Sequence, residues 1–169
     1  MGCFAFAETS ISTITIPSTV EDIVADTFSG CKNLKSVTLN EGLKSIGRGA
    51  FSGTSIEKIT IPRSVDYVGS TFGDAKIKVV DGNSKYEVID NCLIEKATKK
   101  IISGGKYSVI PDRVMEIGDE AFSGTSIESV IIPSTVEKIG RYAFHNCNNL
   151  KTVTLNEGLK SIGRGAFSG

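Results

Sequence analysis

Four cysteines and a single histidine are the side chains of this sequence whose types could do thiol, metal or general-base chemistry. Cys31 and Cys147 could form a disulfide or supply two metal ligands. Both, however, stand three residues after a recurring phenylalanine, in a slot that Thr9, Thr54, Ala75 and Thr125 fill elsewhere. A position that takes cysteine, threonine or alanine asks for a small side chain, so both read as core thiols. Cys3 and Cys92 have no partner at ligand spacing and there is no Cys-x-x-Cys, so zinc is not expected. The slot of His145 holds serine, alanine or glycine in the other copies, which places it on an exposed turn without the convergent partners that a general base or nucleophile needs. The sequence also lacks a phosphate-binding Gly-x-x-x-x-Gly-Lys, a set-apart pair of carboxylates and an Asn-x-Ser/Thr sequon. No catalytic residue, cofactor-binding residue, cofactor or metal ligand is expected, and the chain reads as a non-enzyme.

Bulk properties narrow the class further. The 169 residues are 40% hydrophobic, the composition of a chain that folds rather than stays disordered. Lysine plus arginine equals aspartate plus glutamate at 19 each, so no net field draws the chain to nucleic acid or to an anionic membrane. No apolar run approaches the roughly 20 residues of a membrane span. The segment Met1 to Ala7 lacks the basic and long apolar regions of a secretion signal, and Phe6 stands where a myristoylated Gly2 would want serine or threonine.

The elements that carry these residues announce themselves by repetition, which decides architecture before local propensity does. Phe6, Phe28, Phe51 and Phe72 recur every 21 to 23 residues, and after one interruption Phe122, Phe144 and Phe167 resume the period. Ala50-Phe51-Ser52-Gly53-Thr54-Ser55-Ile56 returns as Ala121-Phe122-Ser123-Gly124-Thr125-Ser126-Ile127, and Val37 to Gly53 is identical to Val153 to Gly169, the mark of recent duplication or of design. Within each unit Ile14, Ile16, Val37, Leu39, Ile59, Ile61, Val130, Ile132, Val153 and Leu155 alternate with outward residues, the period of a half-buried strand. Pro17, Pro62 and Pro133, which lack an N–H, mark where that strand must stop. A second apolar pair, such as Val20/Ile23 or Val136/Ile139, supplies the opposite wall of a coil. One unit buries about six large apolar side chains worth roughly 2 kcal/mol each. Ordering its residues costs on the order of 1–2 kcal/mol apiece, so a lone unit cannot fold and neighbours must cover both its faces. The spacing predicts one solenoid domain over residues 1–169, mostly short strands and turns with short 3-10 or helical segments. Phe4, Phe6 and Phe167 belong to stacking surfaces without a polar cap, so the chain reads as cut from a longer array or as hiding its ends by self-association.

The stretch from Phe72 to Phe122 departs from the period. Tyr86 to Ile94 and Lys99 to Ile102 flank the polar Glu95-Lys96-Ala97-Thr98, which predicts a β-hairpin inserted at about residues 83–105 and projecting from the coil. The pattern resumes at Tyr107-Ser108-Val109-Ile110-Pro111, so the solenoid is expected to continue beneath it.

Ile-Pro-Ser-Thr-Val-Glu-x-Ile at Ile16 to Ile23 and again at Ile132 to Ile139 resembles the repeat of BspA-like leucine-rich-repeat surface proteins, as does Gly140 to Leu150. Asn83, Tyr86, Leu93 and Ile110-Pro111 are similar to the segment that interrupts that family's repeats. The resemblance covers essentially the whole chain. It implies a leucine-rich-repeat solenoid, a cell-surface or secreted location, and adhesion to host or extracellular-matrix proteins.

Parallel stacking aligns the outward strand residues into rows: Thr13, Ser36, Lys58, Ser129 and Thr152 beside Thr15, Thr38, Thr60, Ile131 and Thr154. This flat, threonine-rich face is the candidate protein-binding surface, although threonine is also simply a good exposed strand former. Three readings follow: a non-catalytic macromolecule-binding module of an adhesin, a structural spacer with no ligand of its own, and a threonine face that binds ice. Lys58 and Ile131 interrupt the rows that the last would need.

Overall fold

A computed structural model describes residues 1–69 and 72–169. The first half holds β1 (Thr13–Ile16), β2 (Asp22–Ile23), β3 (Ser36–Leu39), β4 (Ser45–Ile46), β5 (Lys58–Ile61), β6 (Tyr67–Val68) and β7 (Lys76–Val79). Then come β8 (Tyr86–Ile89), β9 (Cys92–Glu95) and β10 (Lys100–Ser103), followed by β11 (Glu116–Ile117), β12 (Ser129–Ile132), β13 (Lys138–Ile139), β14 (Thr152–Leu155) and β15 (Ser161–Ile162). Successive coils stack in parallel. The four-residue strands make a front wall, β1-β3-β5-β7 in one sheet and β12-β14 in another, and the two-residue strands make a second wall. The prolines end their strands as their chemistry requires. Where Asn40 replaces proline, its amide donates to the Ile16 carbonyl of the coil before it at 2.8 Å, so that position still closes the ladder.

The predicted 3-10 or helical pieces are turns instead, and the described residues contain no helix. The reason is local. Six repeat phenylalanines have a left-handed residue two positions before and two after: Asp26 and Gly30 around Phe28, Gly49 and Gly53 around Phe51, Tyr142 and Asn146 around Phe144. A residue at positive φ ends a helical run, so each arc is a chain of tight turns that points its ring inward. The rings then stack: Phe6 on Phe28 at 5.2 Å, Phe28 on Phe51 at 5.4 Å, Phe122 on Phe144 at 4.8 Å and Phe144 on Phe167 at 5.1 Å.

The interruption differs from a hairpin projecting out of a continuous coil. Tyr86 to Ile94 is two strands, because Asp90 (φ 48°) and Asn91 (φ 60°) form a two-residue turn between β8 and β9. Asp and Asn accept the left-handed geometry that such a turn demands. Around Glu95–Lys99 β9 and β10 pair antiparallel, and β10 then pairs in parallel with β11. The insert is thus a three-stranded meander laid into the second wall, in the six-stranded order β15-β13-β11-β10-β9-β8.

Tyr107 to Pro111 forms no strand, and β7 and β12 lie in separate sheets. The free edge of β7 is instead closed by Asn91, whose side chain accepts from the Ile77 N–H at 2.9 Å and donates to the Ala75 carbonyl at 3.2 Å. The phenylalanine ladder is also bridged by an unexpected residue. Gly104 donates to the Ala121 carbonyl at 2.8 Å, the bond that Phe28 makes to Ala50 and Phe122 makes to Ala143. A Cβ at Gly104 would meet Cε1 of Phe122 at 2.2 Å, so only glycine fits there. The core accordingly has two clusters, one around Phe28, Phe51 and Phe72 and the other around Phe122 and Phe144.

Candidate functional site: the front wall and its break

Period-2 alternation puts every second residue of the front strands in solvent. Thr13, Thr15, Ser36, Thr38, Lys58, Thr60, Ser129, Ile131, Thr152 and Thr154 are all exposed. Register pairs Thr13 with Ser36, Thr15 with Thr38, Ser36 with Lys58, Ser129 with Thr152 and Ile131 with Thr154. Among the described residues, none of these ten side chains makes a hydrogen bond or ion pair. The rows do not run on from Lys58 to Ser129, since the wall breaks at β7.

β7 adds two residues that the sequence reading missed. Lys76 stands beside Lys58 and Lys78 beside Thr60, both exposed, so the rows of the first sheet end in cations. The alternation Lys76-Ile77-Lys78-Val79 was the available signal. Next to them the break opens a cleft of about 810 Å³, lined by Ser52, Ser55, Glu57, Lys58, Asp74, Lys76, Lys106, Tyr107 and Ser123 among others. Lys76 and Lys106 place their ammonium groups 5.5 and 4.9 Å from the centre of the Tyr107 ring. Asp74 ties the cleft together: its carboxylate accepts from the backbone N–H of Lys106 at 2.9 Å and of Ser126 at 3.1 Å.

The thiols are placed for packing. Cys31 Sγ donates to the Phe6 carbonyl at 2.8 Å and Cys147 Sγ to the Phe122 carbonyl at 3.0 Å, each beside the threonine of the neighbouring coil. Burial pushes the Cys147 thiol up and the Cys92 thiol up to about 12, so neither supplies a thiolate near neutral pH. His145 sits half-buried on its turn, edge-on to Tyr142 at 5.4 Å and with Nδ1 2.9 Å from the Ser168 carbonyl.

Tyr86 anchors the meander to the first stack by accepting from the Val68 N–H at 3.0 Å, and burial raises its hydroxyl to about 12. The folded state therefore holds the protons of Tyr86 and Cys92 more tightly than the unfolded chain, whose groups titrate near 10 and 9. The stability this represents is complete below about pH 9 and is lost as pH rises toward 12. Far-UV circular dichroism under fixed urea is expected to show alkaline unfolding in that window. Tyr86→Phe leaves the Val68 N–H without its acceptor, so it should cost about 1–3 kcal/mol at neutral pH and flatten the pH dependence above about 10. An unchanged alkaline profile would count against this role.

The sequence matches the BspA type leucine rich repeat region in six copies, over residues 1–114 and 115–169. Among solved structures, the chain is similar to the pneumococcal vaccine antigen PcpA, with a TM-score of 0.78, 22% identity, and coverage of 92% of this chain and 42% of that one. It is also similar to a leucine rich cell surface protein of Faecalibacterium prausnitzii A2-165, with a TM-score of 0.71, 29% identity, and coverage of 89% and 43%. A leucine-rich repeat protein of Eubacterium ventriosum matches with a TM-score of 0.57, 21% identity, and coverage of 88% and 55%. The chain spans less than half the length of the first two. No curated protein is significantly similar. Six repeat copies across the whole chain place it in one family: it belongs to the BspA-type leucine-rich-repeat proteins.

Proposed function

We propose that this chain is a non-catalytic, protein-binding segment of a cell-surface or secreted repeat protein, and that it engages its partner through the exposed strand face of β1, β3 and β5. The observation that carries this reading is the idleness of that face. Thr13, Thr15, Ser36, Thr38, Lys58 and Thr60 are in solvent on a parallel sheet, and among the described residues their side chains make no hydrogen bond or ion pair. Solenoids offer extended surfaces of this kind, whose outward positions vary without disturbing the core. The family, together with the cell surface protein that the chain resembles, supports the location. Burial, which raises the Cys92 and Cys147 thiols, supports the non-enzymatic reading.

The test is binding of the purified chain to fibronectin and fibrinogen, with serum albumin as control, by surface plasmon resonance. Saturable binding to a matrix protein is expected, weakened about tenfold or more by Thr38→Asp with Thr60→Asp, since interface energy concentrates in a few central contacts. Binding that the pair of substitutions leaves untouched would remove the face from the account. The spacer reading gives the coils no ligand of their own. It expects no matrix binding and a molar mass by light scattering above that of one chain, from coils stacking between molecules.

A further inference from the structure

We propose that the cleft at the break in the front wall is a binding site for an acidic polysaccharide, a sugar chain bearing carboxylate or sulfate groups. The site adjoins the strand face at Lys58, and its test uses other residues, Lys76 and Lys106, so it does not depend on that reading.

The charge arrangement is the first reason. Lys58 and Lys76 are direct neighbours in register on β5 and β7, and like charges across a strand pair cost stability. On the opposite wall the comparable row is neutralised, because Glu116 stands between Lys100 and Lys138 and pairs with both, at 3.0 and 3.2 Å. Among the described residues, Lys58, Lys76, Lys78 and Lys106 have no carboxylate within ion-pair distance. Two acids line the cleft with them: Asp74 spends its oxygens on two backbone N–H groups, and Glu57 forms no ion pair with these lysines among the described residues. Counting Lys78 beside the cleft, four lysines stand against these two acids, a modest positive excess in a chain with as many acids as bases.

Geometry is the second. Lys76 comes from β7 and Lys106 from the loop after β10, yet the Tyr107 ring gathers both ammonium groups at one rim of the cleft, at cation–π distances. The volume of about 810 Å³ falls in the range of ligand sites and is open enough for a chain to lie through it. Lining chemistry chooses the ligand class. Ser52 presents its hydroxyl, while those of Ser55 and Ser123 donate to the Lys32 and His145 carbonyls at 2.7 and 3.2 Å and offer a ligand their lone pairs. Of the apolar and aromatic side chains that line the cleft, Phe51 and Ile56 are buried in the core and Tyr107 is exposed, whereas a peptide partner draws most of its affinity from several aromatic and aliphatic contacts. A hydroxyl-rich ligand with regularly spaced anions matches cations set among serines.

The experiment is calorimetric titration of the full chain at low and physiological salt with three probes of similar length: heparin-derived oligosaccharides, oligogalacturonate and neutral oligodextran, with poly-glutamate as a peptide polyanion. Binding to one or both acidic glycans, weakening as salt rises, is the expected result, and which of them binds tells sulfate from carboxylate. Lys76→Gln with Lys106→Gln should weaken it about tenfold or more, while Lys138→Gln with Lys160→Gln on the other wall leaves it unchanged. Circular dichroism checks that both variants fold. Equal binding of the neutral dextran, equal or tighter binding of poly-glutamate, or equal losses from the two double variants would each overturn the proposal. So would self-association of the Lys76/Lys106 variant without loss of glycan binding, because the lysines would then be guarding a sheet edge. Failure here leaves the Thr38/Thr60 result intact, so the two readings fall separately.

Discussion

Phe144→Ala is expected to lower the free energy of unfolding by about 3–5 kcal/mol, and to do so mostly in one half of the molecule. The ring is 1% exposed and lies between Phe122 at 4.8 Å and Phe167 at 5.1 Å, so truncation leaves a cavity and removes two aromatic contacts together. Phe167→Ala removes one contact from a ring that is only partly buried, and should cost less than half as much. In a solenoid each coil touches only its neighbours, so stability is a sum of coil and interface terms and damage stays near its origin. The ring ladder reinforces this, since it passes through Gly104 between Phe72 and Phe122 and offers no side chain there to couple the two clusters. Urea unfolding followed by circular dichroism should therefore split into two transitions in Phe144→Ala. Hydrogen exchange should place the early one in residues 115–169. Equal costs for the two substitutions, or a single displaced transition, would mean that the clusters unfold as one body.

The parts of this fold that were legible in the sequence are those written several times. Phenylalanines at a fixed period and strands ending at Pro17, Pro62 and Pro133 state the coil, and the thiols of Cys31 and Cys147 could be assigned to packing because other copies put threonine or alanine in their slot. What is written once is legible only in part: the polar turn after Glu95 does join two antiparallel strands, β9 and β10, but the rest of the insert is hidden. Tyr86 to Ile94 looks like one strand because Cys92, Leu93 and Ile94 are all buried, which erases the alternation that would have revealed the turn at Asp90-Asn91. Gly104 could not be recognised as a rung of the ladder, because glycine stands where every other rung is phenylalanine and it lies closer to Phe122 than the period allows. The candidate face suffered likewise. Its threonines were read from repeated strands, whereas Lys76 and Lys78 belong to a strand with no proline at its end, and the cleft beside them exists only because the wall breaks. Lys106 and Tyr107 come to that cleft from across the insert, a proximity that no local pattern encodes.

That insert is held by one side chain more than by any other, and Asn83→Ala is expected to destabilise the protein by about 3–4 kcal/mol. Asn83 is 2% exposed. Its amide donates to the carbonyls of Pro62 at 3.0 Å and Val65 at 2.9 Å, and its oxygen accepts from the N–H groups of Lys85 at 2.9 Å and Tyr86 at 2.8 Å. Alanine strands all four backbone groups, two on the turn after β5 and two at the start of β8. Asn83→Asp separates this bonding from mere volume. The carboxylate keeps an acceptor for Lys85 and Tyr86 but faces two carbonyl oxygens, which disfavours its charged form and raises its pKa in the folded state. Protonation restores one donor. Stability of the aspartate variant, relative to the native chain, should therefore be greater near pH 4 than near pH 7, because a pKa raised on folding adds stability at low pH that is lost as pH rises. Asn83→Ala should show no such dependence. Because β8 also carries Tyr86 onto Val68, loosening Asn83 should release the meander from the first stack. A pH-independent aspartate variant, or an alanine variant within about 1 kcal/mol of native, would show that the meander is held by its apolar contacts instead.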